Sequence, residues 1–204
     1  MDKQEYLNQI SQNVAPTKKS LPNFFSSKIF KFLLSAVALF VLIMILGAIL
    51  SGNNNKTKNN AISLKLHLDN LSEAISTYQP SLKSSDLRGY SASLASIVSE
   101  TSKSLTTFLE EQYEYKEKNV EKSLINSETA LYETLNNDLF SAKINGLLDR
   151  TYAHEMAYEI SIITACESEI YRATKSTDLK EILQSSYDSL ENLYDKFNDF
   201  SETK

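Results

Sequence analysis

The sequence predicts an all-α protein, with a single transmembrane helix followed by an extracytoplasmic antiparallel bundle of four long helices plus a stem helix. Three observations predict it. Residues 32–50, FLLSAVALFVLIMILGAIL, are 19 consecutive uncharged residues. Heptad-like apolar spacing runs through residues 61–204. Only 4 Gly and 3 Pro occur in 204 residues, whereas an all-β sandwich or barrel needs a turn signal about every 8–12 residues. The first helix is then a stem or a fifth packed helix. An elongated coiled-coil hairpin buries the same stripes and is the alternative architecture.

Residues 1–28 are read as a short cytoplasmic tail. Tyr6, Leu7, Ile10 and Val14 share one helical face, and Pro16 would end such a helix at Ala15. A helix this short is marginal in water, and about 28 residues are too few to house an enzyme or signalling domain.

Residues 29–51 are read as the transmembrane helix. At about 1.5 Å per residue the uncharged run spans roughly 28 Å, close to the hydrocarbon thickness of a bilayer. A cleaved signal peptide would have a shorter apolar core and a small-x-small site, and neither is present. Lys18, Lys19, Lys28 and Lys31 flank the segment on its N-terminal side. Their excess over the lysines that follow predicts a cytoplasmic N-terminus and an extracytoplasmic C-terminal domain.

Residues 52–60 read as a flexible polar linker, because half of SGNNNKTKNN is Asn, with no apolar residue. Asn55-Lys56-Thr57 and Asn70-Leu71-Ser72 match the N-glycosylation acceptor pattern, which has meaning only on the luminal side of a eukaryotic cell.

Residues 61–204 are read as the bundle. Leu64, Leu68, Leu71, Ile75, Tyr78 and Leu82 form the first stripe, and Pro80 should end that helix near Tyr78. Ser84, Ser85 and Asp86 offer an N-cap to a second helix. Its stripe runs Leu87, Tyr90, Leu94, Ile97, Thr101, Leu105, Phe108, Gln112 and Tyr115. Ser91 and Ser102 are among many serines that lower its intrinsic helix stability, so it should depend on packing. The phase breaks at Lys116–Asn119, which predicts a turn. It resumes through Val120, Leu124, Ser127, Leu131, Leu135 and Leu139. Asn145-Gly146 is a terminator, with Gly suited to the left-handed position, and Asp149 is placed to cap the fourth helix. That helix carries Tyr152, Met156, Ile163, Cys166, Ile170 and Ala173. Ser176 or Thr177 caps the fifth, whose stripe is Leu179, Leu183, Ser186, Leu190, Leu193, Phe197 and Phe200.

Composition excludes several functions. The net charge of −5 lacks the basic footprint of a nucleic-acid binder. The outer residues 52–204 hold 16 Lys and Arg against 24 Asp and Glu, with no basic cluster in sequence. One cysteine excludes an internal disulfide and any multi-cysteine metal site. His154 opens HEMAYE, but a zincin needs a second His where Tyr158 stands. Neither His67 nor His154 has the Glu three residues before it that a di-iron bundle requires. Glu155 and Glu159 lie four apart on one face, most simply a solvated one. Cys166, beside Glu167 and Glu169, reads as a small buried hydrophobe. No phosphate-binding glycine loop or nucleophile elbow is present. No enzyme activity, cofactor or metal is therefore expected.

Tyrosine, at 11 residues, is the compositional oddity. Tyr113, Tyr115, Tyr152, Tyr158, Tyr171, Tyr187 and Tyr194 are candidate interface or crevice residues, since Tyr pairs an apolar ring with a polar tip. The expected function is a non-enzymatic, single-pass membrane-anchored protein. It presents an acidic bundle for protein–protein interaction or assembly at the cell surface, its partners being the lipid bilayer and either a protein or a second copy. The alternative is a ligand-binding or sensory bundle with a Tyr-lined interhelical crevice, acting through a signalling partner.

Overall fold

The computed structural model describes residues 53–203, with side chains described from 56 to 200. The expected tail, the membrane segment and Lys18, Lys19, Lys28 and Lys31 lie outside the described residues. Among the described residues, no helix is long and apolar enough to cross a membrane.

The described residues are all helical in architecture: α1 (Asn53–Tyr78), α2 (Ser85–Tyr113), α3 (Lys122–Ile144), α4 (Leu148–Ala173) and α5 (Thr177–Thr203). Their boundaries follow local chemistry. Pro80 enters a single 3₁₀ turn, Gln79–Ser81, directly after α1. Ser84 caps α2, its hydroxyl accepting the Leu87 N–H at 3.4 Å. The α2 helix stops at Tyr113, where Glu114 turns left-handed with φ +50° and the Tyr115 N–H reaches back to the Leu109 carbonyl at 3.2 Å. The phase break is a turn as expected, with a 3₁₀ segment at Glu117–Asn119. Gly146 takes φ +73° between α3 and α4, and the Ser176 hydroxyl accepts the Leu179 N–H at 3.3 Å to cap α5. Asp149 differs from expectation. It does not cap its own helix; its carboxylate accepts the backbone N–H groups of Lys83 and Ser84 at 2.9 and 2.8 Å. It thereby ties the α1–α2 turn to the start of α4.

The helices run alternately up and down. Contacts from His67 to Glu128 and from Tyr78 to Asn136 advance together, so α1 and α3 are parallel. Contacts from Lys56 to Glu169 and from His67 to Glu159 run oppositely, so α1 and α4 are antiparallel. α1 packs against α2, α3 and α4, while α5 closes the far side against α2 and α4.

This topology decides between the expected arrangements. α1 is a fifth packed helix rather than a stem, and the described residues form a bundle rather than an elongated hairpin. From Asn60 to Leu68 every side chain except Leu66 is buried, as befits a helix surrounded by its neighbours. Nor does the Asn-rich stretch behave as a flexible spacer: α1 begins at Asn53, and Thr57 and Asn60 are buried. Lys56 pairs with Glu169 of α4 at 3.2 Å. Tertiary packing overrides the poor helix propensity of Asn.

The α2 stripe is wider than a heptad seam. Ser91, Val98, Ser102 and Leu109 are buried alongside the expected residues, whereas Gln112 is exposed. The two small serines let neighbouring groups approach. Tyr152 of α4, fully buried, shares a 2.6 Å hydrogen bond with Ser91. Its ring lies 6.4 Å from that of Phe197 on α5, which in turn meets Tyr90 edge-on at 6.0 Å. Such ring pairs contribute about 0.5–1.5 kcal/mol beyond their burial.

Candidate functional site

Three features stand out: a buried charged network, a cleft between α4 and α5, and an exposed apolar patch at one end.

The network joins α1, α3 and α4. His67, Glu128 and Glu159 are 8%, 2% and 7% exposed, so each charge is removed from water. The His67 Nδ1 lies 3.1 Å from Glu128 Oε2, and its Nε2 lies 2.8 Å from Glu159 Oε2. Ser63 donates to the other Glu128 oxygen at 2.5 Å, and the Asn70 amide donates to the Glu128 carbonyl at 3.2 Å. Burial opposes a charge on His67, but the Glu159 and Glu128 carboxylates outweigh it and push its pKa up to about 10. A doubly protonated ring donates from both nitrogens and has no lone pair for proton abstraction or metal ligation. Among the described residues, no group of three or more His, Cys, Asp and Glu could hold a metal ion. The network bridges α1, α3 and α4.

Sequence reasoning missed this network and placed Glu159 with Glu155 on a solvated face. Glu159 is instead buried against His67, while Glu155 is half-buried beside the exposed His154 at 3.4 Å. A signal was present. Leu124, Glu128, Leu131 and Leu135 step by 4, 3 and 4, and Met156, Glu159 and Ile163 by 3 and 4. Both glutamates thus stand in register with core positions.

The seven candidate tyrosines do not converge on one crevice. Tyr152 is in the core. Tyr115 is buried beneath Lys65, whose ammonium lies 5.8 Å from the ring centre. Tyr113 is half-buried edge-on to Phe108 at 6.0 Å. Tyr158 is half-buried, and burial together with Glu159 and Glu155 pushes its hydroxyl up to about 12. Tyr194 is exposed. Of the seven, only Tyr171 and Tyr187 share a cleft, one of about 200 Å³ between α4 and α5 that Glu167, Ser168, Arg172, Leu183 and Gln184 also line.

Cys166 is largely shielded. Burial, with Glu128, Glu169 and Glu167 nearby, pushes its thiol up to about 12, so it is a poor nucleophile.

The patch lies around the α3–α4 turn, at the end of the bundle opposite Asn53. Phe140, Ile144 and Leu147 are 56%, 68% and 60% exposed. Phe140 and Ile144 are one helical turn apart on α3, and Leu147 follows in the turn after Gly146. Beside them is a cavity of about 630 Å³ whose lining includes Lys83, Lys143, Arg150, Leu147 and Phe200. The three cations come from separate elements, which is why no basic cluster shows in the sequence. Comparison with known proteins finds no matching family model, curated protein or solved structure.

Proposed function

We propose that the chain is a non-enzymatic interaction module that docks a protein partner at the α3–α4 end of its bundle. The exposure of Phe140, Ile144 and Leu147 supports this reading above all. Phe140, Ile144 and Leu147 fall within eight residues beside a cavity, whereas the other large apolar side chains exposed among the described residues, Ile125, Tyr171 and Tyr194, are scattered. Such patches on otherwise polar surfaces mark association sites. The rim specifies the partner's chemistry. Lys83, Lys143 and Arg150 surround the cavity, while Asp149 is engaged by two backbone N–H groups. Two copies meeting through this end would set like charges against one another. The fitting partner is a different protein offering an amphipathic segment with apolar anchors and acidic flanks.

The same reading includes a membrane tether through residues 29–51, supported by the 19-residue uncharged run. Tethering confines the bundle to a surface and raises its effective concentration for a partner on that surface. In this reading the N-terminus is cytoplasmic and the bundle extracytoplasmic.

The test is site-specific photocrosslinking of the full chain in its native membrane, with the reactive group at Ile144 and, as a control, at the exposed Glu191 of α5. A discrete protein adduct from Ile144 alone supports the docking end. Adducts of equal yield from both positions, or none from Ile144, overturn it. Protease shaving of sealed cells tests the orientation, which fails if the bundle survives digestion.

A further inference from the structure

The five helices are not equivalent. α1 packs on α2, α2 on α5, α5 on α4 and α4 on α1, so these four close a ring. α3 lies outside it, along the groove between α1 and α4. Four of its 23 residues are buried, Glu128, Leu135, Leu139 and Ala142, against ten of 26 in α4. The apolar burial holding α3 down is correspondingly small. Its seam with α1 is polar instead. Ser63 and His67 reach the Glu128 carboxylate, and Asn70 donates to the Glu128 carbonyl. The Tyr78 hydroxyl shares its hydrogen between the carbonyl oxygen and Oδ1 of Asn136, at 2.9 and 2.7 Å. A gap of about 10 Å³, room for about one water, lies in the seam between His67, Asn70 and Glu159 on one side and Leu131, Tyr132 and Leu135 on the other. Towards α4 the charges are alike. Asp138 stands near Glu155, and burial together with that neighbour raises its carboxyl above the ordinary range. Lifting α3 returns the Glu128 carboxylate to water and leaves His67 with Glu159, so no buried charge is stranded. Both ends of α3 adjoin exposed chain: Lys116, Glu117, Lys118 and Asn119 before it, Asn145, Gly146 and Leu147 after it.

We propose that α3 is a hinged strap on a self-sufficient four-helix ring, leaving the α1–α4 groove as one unit, and that seating it completes the docking end. The strap rests on the packing alone; its link to docking rests on the site proposed for the α3–α4 end. That site straddles the two bodies. Phe140, Lys143 and Ile144 ride on α3, whereas Lys83, Arg150 and Phe200 belong to the ring and its α1–α2 turn. A partner gripping both sides binds the seated form only, and its binding free energy holds the strap closed. Conversely, an unseated strap carries away two of the three apolar anchors, Phe140 and Ile144.

Native-state hydrogen exchange of the purified full chain tests the strap. Amides 131–139 of α3 should exchange about 100-fold or more faster than amides 94–105 of α2 and 183–193 of α5. Val98→Ala opens a cavity at a fully buried position of α2. It should accelerate the α2 and α5 amides by about 10-fold and leave those of α3 unchanged. Equal exchange in the three helices, or equal acceleration of all three by Val98→Ala, overturns the strap. Glu128→Lys sets a second cation against His67 and should strip protection from α3 while α2 and α5 keep theirs. Loss of protection in α2 and α5 as well overturns the self-sufficiency of the ring. In the native membrane the same variant should lower the Ile144 photoadduct by about 10-fold or more. A full-yield adduct with α3 unseated overturns the link to docking but spares the docking site. Absence of the adduct from the parent chain overturns the docking site and the link together, while the exchange rates still decide the strap.

Discussion

An imidazolium clasped between two carboxylates is an expensive thing to bury, and its cost shows only when one member is removed. With His67 in place, each carboxylate of Glu128 and Glu159 has a charged donor. Without it, two like charges face each other in the core. His67→Leu should therefore destabilise the bundle by about 3–5 kcal/mol, whereas adding Glu128→Met and Glu159→Met should restore most of that loss. Urea titrations of the three proteins at neutral pH measure both steps; a single-variant cost below about 1 kcal/mol would mean the trio is not a buried charged network. The pH dependence follows from the same residue. The His67 pKa rises from 6.5 unfolded to about 10 folded, so its contribution is complete below pH 6.5 and is lost as the pH climbs towards 10. Glu167 is raised from 4.5 to about 8, so the bundle also loses stability between those values as that carboxyl ionises. Stability should decline from mildly acidic to alkaline pH. Glu167→Gln should be more stable than the parent at pH 9 and little different at pH 5. A parent protein whose stability climbs over that range would contradict both assignments. None of these partners was legible from composition. His67 and Glu128 sit among leucines at core spacing and Glu159 between Met156 and Ile163, but spacing says only that a position faces inward. Which inward-facing polar residues meet depends on the three-dimensional register of α1, α3 and α4.

At the scale of elements, most boundaries were readable because they are local. Pro80 removes an N–H, Gly146 tolerates a positive φ, and Ser84 and Ser176 supply cap oxygens within three residues of their targets. Asp149 was misread because its partners lie more than sixty residues away in sequence. The α2 terminus offers a sharper case. Glu114 holds φ +50°, a conformation that costs a residue with a Cβ about 1–2 kcal/mol. Gly146 holds φ +73° with nothing within 4 Å of where a Cβ would stand. The two sites should respond in opposite directions. Glu114→Gly should stabilise the bundle by about 0.5–1 kcal/mol, and Gly146→Ala should destabilise it by about 1 kcal/mol through backbone strain alone. Differential scanning calorimetry of both variants checks this. Shifts of the same sign would show that the two helix ends are not held left-handed.

For the whole molecule, the central question is what it means for α1 to lie inside. Heptad spacing alone leaves a stem and a core helix indistinguishable, since both carry the same Leu64, Leu68, Leu71 and Ile75 stripe. What separates them is burial of the residues off the stripe, and here Ser63, Lys65 and His67 are buried as well. Burial extends upstream to Thr57 and Asn60, and Lys56 reaches Glu169. The Asn-rich beginning of α1 therefore packs on the bundle as its first two turns, whatever its composition suggests about flexibility. Substituting residues 53–60 with a Gly-Ser repeat of the same length separates the two views. A spacer would accept the exchange with no change in Tm. A packed helix loses the Lys56 pair and the buried Thr57 and Asn60 side chains, and each added glycine costs up to about 1 kcal/mol of helix propensity. The expected loss is roughly 2–4 kcal/mol, with α2 to α5 still forming but with hydrogen exchange at Ala61–Leu64 accelerated towards that of a frayed end. Unchanged protection at Ala61–Leu64 would mean that α1 is anchored from Ala61 onwards and that the polar stretch before it contributes nothing.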